Sequence, residues 1–233
     1  MRPTVGRCKR RVPRAILVTA LLAVTLLGIA PLAGAGAADR ARVSFNPVDL
    51  AAARAAVLRR ADLGSAGGWT GGTRKPDLSS SMHCSNYAPK QSDLVVTGAA
   101  EADYHHVGLE LKSAAEVLKT PAMVASDWRR TVSHPRAFGC LRAMLARSLP
   151  SSQRLVSFTR LRFPRLAPYA AAFRALVQVS AGGQQAQVVV DLIVVGRSRT
   201  ELTLSVGAPA AARTGLPAAE ARLAKLLLAR VRA

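Results

Sequence analysis

Two long alternating runs flank the tetrapeptide Ala181-Gly182-Gly183-Gln184, and this arrangement constrains the fold more than any other stretch of the chain. Adjacent glycines supply the positive φ of a two-residue primed turn, whose twist matches the strands it joins. Folding the chain there pairs residues whose numbers sum to 365, so that Phe173, Ala175, Val177 and Val179 meet Leu192, Val190, Val188 and Ala186 on one face. A slip of one residue would exchange the faces and destroy the match. The opposite face sets Arg174 across from Asp191, with Ala172, Leu176, Val189 and Ile193 around them. That face is apolar too, and needs a cover: a helix, a partner or a ligand.

The same period of two marks Leu155–Phe163, Tyr169–Ser180, Gln185–Val195 and Arg199–Val206 as three or four strands after Pro150. Upstream, Leu94–Ala100 and Tyr104–Leu118 read as two more, the second with Val107, Leu109 and Leu111 on one face. Helical spacing appears in three places. Asn46-Pro47 opens a first helix reaching about Asp62. Thr120-Pro121 starts another along Val124, Trp128 and Val132, and Ser133-His134-Pro135 ends it and begins one carrying Phe138, Leu141, Leu145 and Leu149. Pro217 to Arg232 closes the chain with a stripe of Leu223, Leu227 and Val231. Gly64 to Pro89, rich in Gly and Ser, reads as a long loop. The order α-ββ-αα-ββββ-α predicts an α+β fold: a single mostly antiparallel sheet of five to six strands with helices packed on it.

Residues 47–233 make up that one domain, preceded by a flexible stretch over 38–46 and a signal peptide over 1–37. Arg2, Arg7, Lys9, Arg10, Arg11 and Arg14 precede an uncharged run from Ala15 to Ala38, and Ala35-Gly36-Ala37 offers the small residues of a cleavage site. The alternative is an uncleaved membrane anchor, since the 24 uncharged residues are enough to span a bilayer; Pro31 and the neighbouring glycines argue against a continuous span. No Cys stands at the cut, as a lipoprotein would need.

Processing removes six basic residues and leaves 27 against 13 acidic, a net charge of +14. Export, only 4% aromatic residues and the lack of a Lys/Arg run speak against nucleic acid. An anionic envelope polymer or lipid is the partner this basic protein suggests, although an Arg-rich, Ala-rich composition is also what high-G+C coding produces. Cys84 and Cys140 remain after processing and are expected to pair in an oxidising compartment, closing a 57-residue loop. The loop-entropy model puts that bridge at roughly 4 kcal/mol.

Candidate chemistry is sparse. His105-His106 would point to opposite faces of a strand and cannot share one ion without a bulge. No nucleophile-elbow, metalloprotease-helix or phosphate-loop motif occurs. A Ser/His/Asp site could be assembled from His134, Asp127 and a serine, but nothing in the spacing selects it. The residues that stand out are Asp191, a carboxylate inside the run Val188 to Val195, with Arg174 as its cross-strand partner. Thr203 joins them if the turn at Gly196-Arg197-Ser198 has three residues. These three are the candidate ligand-binding residues, beside a salt bridge that simply pins register. No catalytic, cofactor or metal residue is assigned.

Leu63-Gly64 and Gly68-Trp69 after a first helix, a Cys before the first strand, Ser113 to Leu118 leading into Thr120-Pro121, a helical Cys and Asp191 in a Val-rich strand form a recognisable order. Over residues 47–232 it resembles secreted sensor-type domains such as the PknH-like extracellular domain of bacterial Ser/Thr kinases. The resemblance implies an antiparallel sheet decorated with helices around a cleft for an envelope ligand, without catalysis. Such domains typically carry two disulfides and an attached kinase, where this chain offers one bridge and no kinase. A PsbP-like sandwich is the alternative fold. The reading is therefore a secreted binding or sensor-like module, with a secreted hydrolase using a dispersed Ser/His/Asp site as the alternative.

Overall fold

The computed structural model describes residues 39–65, 67–79 and 81–231, so the expected signal peptide lies outside the described residues. Its centre is a mostly antiparallel sheet of eight strands: β1 (Arg42–Val43), β2 (Thr70–Arg74), β3 (Val95–His106), β4 (Leu109–Leu118), β5 (Gln153–Leu161), β6 (Tyr169–Ala181), β7 (Gln184–Arg197) and β8 (Thr200–Pro209). The order is β1-β3-β4-β8-β7-β6-β5, with β2 also paired to β3. Helices α1 (Pro47–Ala56), α2 (Pro121–Trp128), α3 (Ala137–Ser148) and α4 (Leu216–Leu228) cover it.

The β6–β7 hairpin has the expected register throughout, from Tyr169 opposite Gly196 to Ala181 opposite Gln184. Gly182 and Gly183 take φ of 56° and 77°, the left-handed values that make glycine the fitting residue in this turn. The sheet exceeds the expected five to six strands because β1 and β2 were not visible as strands. β1, within the 38–46 stretch, is two residues long and runs parallel to Val95–Val96. β2 is Thr-Gly-Gly-Thr-Arg, which has almost no side chain to alternate. Gly71 explains that composition: a Cβ there would lie 2.2 Å from the Asp103 carbonyl oxygen, so only glycine lets the two backbones meet at its φ of 116°.

α1 and α2 begin at side-chain caps. The Asn46 side chain accepts a hydrogen bond from Asp49 N at 2.9 Å with Pro47 in the first turn, and Thr120 Oγ1 accepts from Met123 N at 3.3 Å ahead of Pro121. α1 ends earlier than Asp62, and a 3-10 turn over Arg60–Leu63 follows. α1 and α4 bury Ala53, Val57, Leu223 and Leu227 against Ala102, Val117, Ile193 and Leu204. On the other face α2, a π turn over Arg129–Ser133 and α3 pack Val132 and Leu141 onto Ala171 and Phe173. The sheet thus has a helical layer on both sides, and the cover that Arg174 and Asp191 require is α4.

Cys84 and Cys140 are bonded, with Cα atoms 5.7 Å apart. The bridge ties the stretch before β3 to α3. Among the described residues no helix is long and apolar enough to cross a membrane.

Candidate functional site

The residues singled out in sequence divide between the two faces. Arg174 and Asp191 face each other as expected, with Arg174 Nε donating to Asp191 Oδ1 at 2.7 Å and Nη2 to Oδ2. Asp191 is 0% exposed and Glu220 of α4, 1% exposed, lies against it. Burial, then the Asp191 carboxylate beside it, push Glu220 up to about 8. Arg174, fixed by Asp191, stays charged and also donates to Arg213 O at 3.3 Å. Asp191 and Glu220 are sealed between sheet and helix, while the Arg174 guanidinium reaches the surface at one side.

Thr203 does not join it. The β7–β8 turn is the two-residue Ser198-Arg199, with Ser198 at φ 52°, so Arg197 pairs with Thr200 and Asp191 with Val206. A three-residue turn at Gly196-Arg197-Ser198 would have moved the register by an odd number, and an odd shift exchanges faces. Thr203 instead lies opposite Val194 on the α2–α3 side, where it lines a cleft.

That cleft, about 320 Å³, is the strongest candidate site. Its floor is the sheet, its sides are α2, the π turn, α3 and the segment from Asp77 to Gln91, and Val43 of β1 stands at its edge. Leu141, Met144, Phe173, Leu192 and Val194 make much of it apolar. The polar part is acidic. Glu116 on β4 and Glu201 on β8 are direct cross-strand partners and therefore point to the same face. Asp127 descends on them from α2, held by Gln91 Nε2 at 3.0 Å and more loosely by Thr131 Oγ1 at 3.4 Å. The π turn follows directly: Thr131 Oγ1 also donates to Asp127 O at 2.9 Å, and such turns recur beside functional groups.

Crowding three carboxyls in a cleft shifts all of them toward the neutral form. Burial and then the charge of Asp127 push Glu116 up to about 7. Burial raises Asp127 against the opposing hydrogen bonds from Glu201, Gln91 and Thr131. Glu201 is held well above the usual carboxyl range, first by burial and then by the charges of Asp127 and Glu116. The side chains keep partial exposure at the cleft mouth, but Glu201 Oε1 is out of contact with solvent and no protein donor reaches it.

The other depression, about 500 Å³ beside α1, is more open and its polar groups satisfy one another. Arg199 binds Asp49 and Thr97 there, and Thr97 Oγ1 donates to Val117 O at 3.0 Å. The histidines stand apart from the cleft. His134 stacks on Tyr87 with ring centroids 4.5 Å apart, and its Nδ1 accepts from Arg136 N at 3.2 Å. His105 faces Asp103 at 3.8 Å, whereas His106 packs on Trp69 at 5.1 Å, so the adjacent pair separates as expected. Among the described residues no three metal-ligating side chains come together.

Asp127 was considered in the sequence only as part of a triad with His134, and Glu116 and Glu201 drew no notice. They meet because β4 and β8, distant in sequence, are neighbours in the sheet. The detectable signal was an acid inside each of two largely apolar strands, Glu201 being the only one in β8 and Glu116 one of two in β4.

No protein-family model matches this chain, and no curated protein matches it. Among solved structures, an uncharacterized protein from Mycobacterium smegmatis, the Rv0999 ortholog, shares 10% identity at a TM-score of 0.33. That match covers 58% of this chain and 64% of the other, less than two thirds of its length. A likeness at this level carries no weight for function.

Proposed function

We propose that this chain is an extracytoplasmic, non-catalytic binding module of the sensor type, which holds a small amphiphilic envelope molecule in the cleft between the sheet and the α2–α3 pair. The observation that carries the reading is the make-up of the cleft: apolar walls, carboxyls gathered at one part of the floor, and no imidazole, thiol or amine among its described lining residues. An apolar concavity with a few convergent polar groups is the common form of a small-molecule site. The bonded Cys84 and Cys140 and the signal-like first 37 residues support the compartment. A net charge of +14 on the processed chain favours a second, looser attraction of its exterior to an anionic envelope polymer or lipid. The hydrolase alternative gains nothing from His134, whose ring lies on Tyr87 and not among the cleft residues.

Native mass spectrometry of protein recovered from its secreting host tests this. The expected spectrum shows a chain starting near Ala38 with one retained organic molecule. Ala114→Trp, which puts an indole into the cleft, should lose the retained molecule while keeping the parent's circular dichroism. A bare parent chain, or an adduct indifferent to the tryptophan, would remove the proposal.

A further inference from the structure

In a chain whose basic residues outnumber the acidic ones by 33 to 13, three acids meet in a cleft that has no cation among its described lining residues. Glu116, Asp127 and Glu201 take part in none of the described ion pairs, which join Arg74, Arg130, Arg174, Arg199 and Arg230, and one histidine, to other aspartates. Among the described residues, those lining the cleft include Asp77 besides these three, and no Arg, Lys or His. Arg130 acts on Asp127 through its charge, but its guanidinium is clamped in two-point fashion on Asp93, at 2.7 and 2.8 Å. Like charges set directly opposite each other across a ladder are destabilising. Glu116 and Glu201 escape that cost by being held toward the neutral form beside an apolar cavity, and Glu201 Oε1 is buried there with no hydrogen-bond partner.

We infer that the cleft selects a ligand with a cationic, hydrogen-bond-donating head, an alkylammonium or alkylguanidinium, seated on Glu116, Asp127 and Glu201 with its chain along the apolar wall. This rests on the amphiphile-binding reading above and specifies its head group. An ammonium brings up to three N–H donors and a guanidinium five, enough to serve several carboxyl oxygens at once. Charge-assisted bonds of this kind are about twice as strong as neutral ones. The basic exterior points the other way: by itself it would gather anions and repel cations. A preference for the ammonium therefore reports the cleft and not the surface.

The test displaces a neutral fluorescent probe, N-phenyl-1-naphthylamine, from the full processed chain with three amphiphiles of one chain length, below their micelle concentrations: decylammonium, decanol and decyl sulfate. The ammonium should bind at least about tenfold more tightly than the alcohol, the equivalent of one charge-assisted bond, and the sulfate more weakly than both. The preference should grow from about pH 6 to about pH 8, because Glu116, raised to about 7 by burial and Asp127, ionises in that range and an ionised carboxyl holds a cation. The groups facing it are Asp127 on α2, Glu201 on β8 and, beyond them, Gln91 and Thr131, of which only the carboxyls titrate there. The double change Glu116→Gln with Glu201→Gln should cut the ammonium-to-alcohol ratio below about threefold. Equal binding of ammonium and alcohol by the parent, or a preference for sulfate, overturns the head-group inference and leaves the cleft as an amphiphile site. A parent that binds neither the probe nor any of the three overturns both.

Discussion

Glu220 gives the clearest quantitative handle on how this fold is held. It sits under α4 with 1% of its surface exposed, against the fully buried Asp191, and both of its carboxyl oxygens lack a donor from the protein. Its folded value of about 8 stands above the ordinary 4.5, chiefly through burial and then through Asp191, with Arg174 opposing. An acid raised on folding contributes stability that is complete below the unfolded value and is lost as pH climbs through the folded one. At about 1.4 kcal/mol per unit, Glu220 should remove roughly 3 kcal/mol between its unfolded value and neutrality and about 1 more by pH 8. Glu220→Gln retains the shape of the side chain and a polar head beside Asp191, yet cannot ionise. Urea unfolding of parent and variant should be compared from about pH 4.5 to about pH 8.5. Carboxyls elsewhere in the fold, Glu116 among them, are the same in both proteins, so the difference between the two curves isolates Glu220. That difference should move by roughly 4 kcal/mol in favour of the variant as pH rises. Parallel curves would refute the reasoning, since they would mean that Glu220 acts by packing alone.

Three other perturbations follow from the structure. Asp191→Ala strands Arg174, whose side chain is 18% exposed, and should cost about 3 kcal/mol or more in chemical unfolding, while Arg174→Leu with Asp191→Leu recovers most of it. Replacing Cys84 and Cys140 with Ser should lower stability by roughly 2–5 kcal/mol and weaken probe binding as well, because the bridge fixes the segment carrying Met82 and Gln91 into the cleft wall. Gly71→Ala must move β2 off Asp103, and should cost about 1–3 kcal/mol, with hydrogen exchange accelerated over 70–74 and unchanged in the β6–β7 hairpin.

What could be foreseen from residues alone was local. Gly182-Gly183 between two alternating runs specifies a turn and a register together, so every β6–β7 pair, including Arg174 with Asp191, was legible. Thr120-Pro121 and the break at His134-Pro135 marked α2 and α3 because caps and prolines act within a few residues. The β3–β4 turn was harder: it falls at Val107-Gly108, with Gly108 at φ 72°, so His105 and His106 end β3 and do not enter the second strand. The β7–β8 turn has no glycine at its positive φ, and Ser198 gave no warning of the register that moves Thr203 away from Asp191. The acidic cleft was least visible of all. β4 and β8 are separated by two helices and three strands, and no short-range rule brings Glu116 to Glu201.

Both margins of the sheet are poorly suited to extension by another strand. On one side β1 offers two residues and β2 five, two of them glycine. On the other, β5 breaks its ladder between Leu155 and Ser157, leaving Val156 unpaired and 38% exposed between Arg154 and Arg160. Short, bulged and charged edges are the features that stop sheets from joining end to end. The arrangement protects the folded chain from edge-to-edge aggregation. It also disfavours recognition by backbone pairing and leaves the helical faces and the cleft, read through side chains, as the better-suited surfaces.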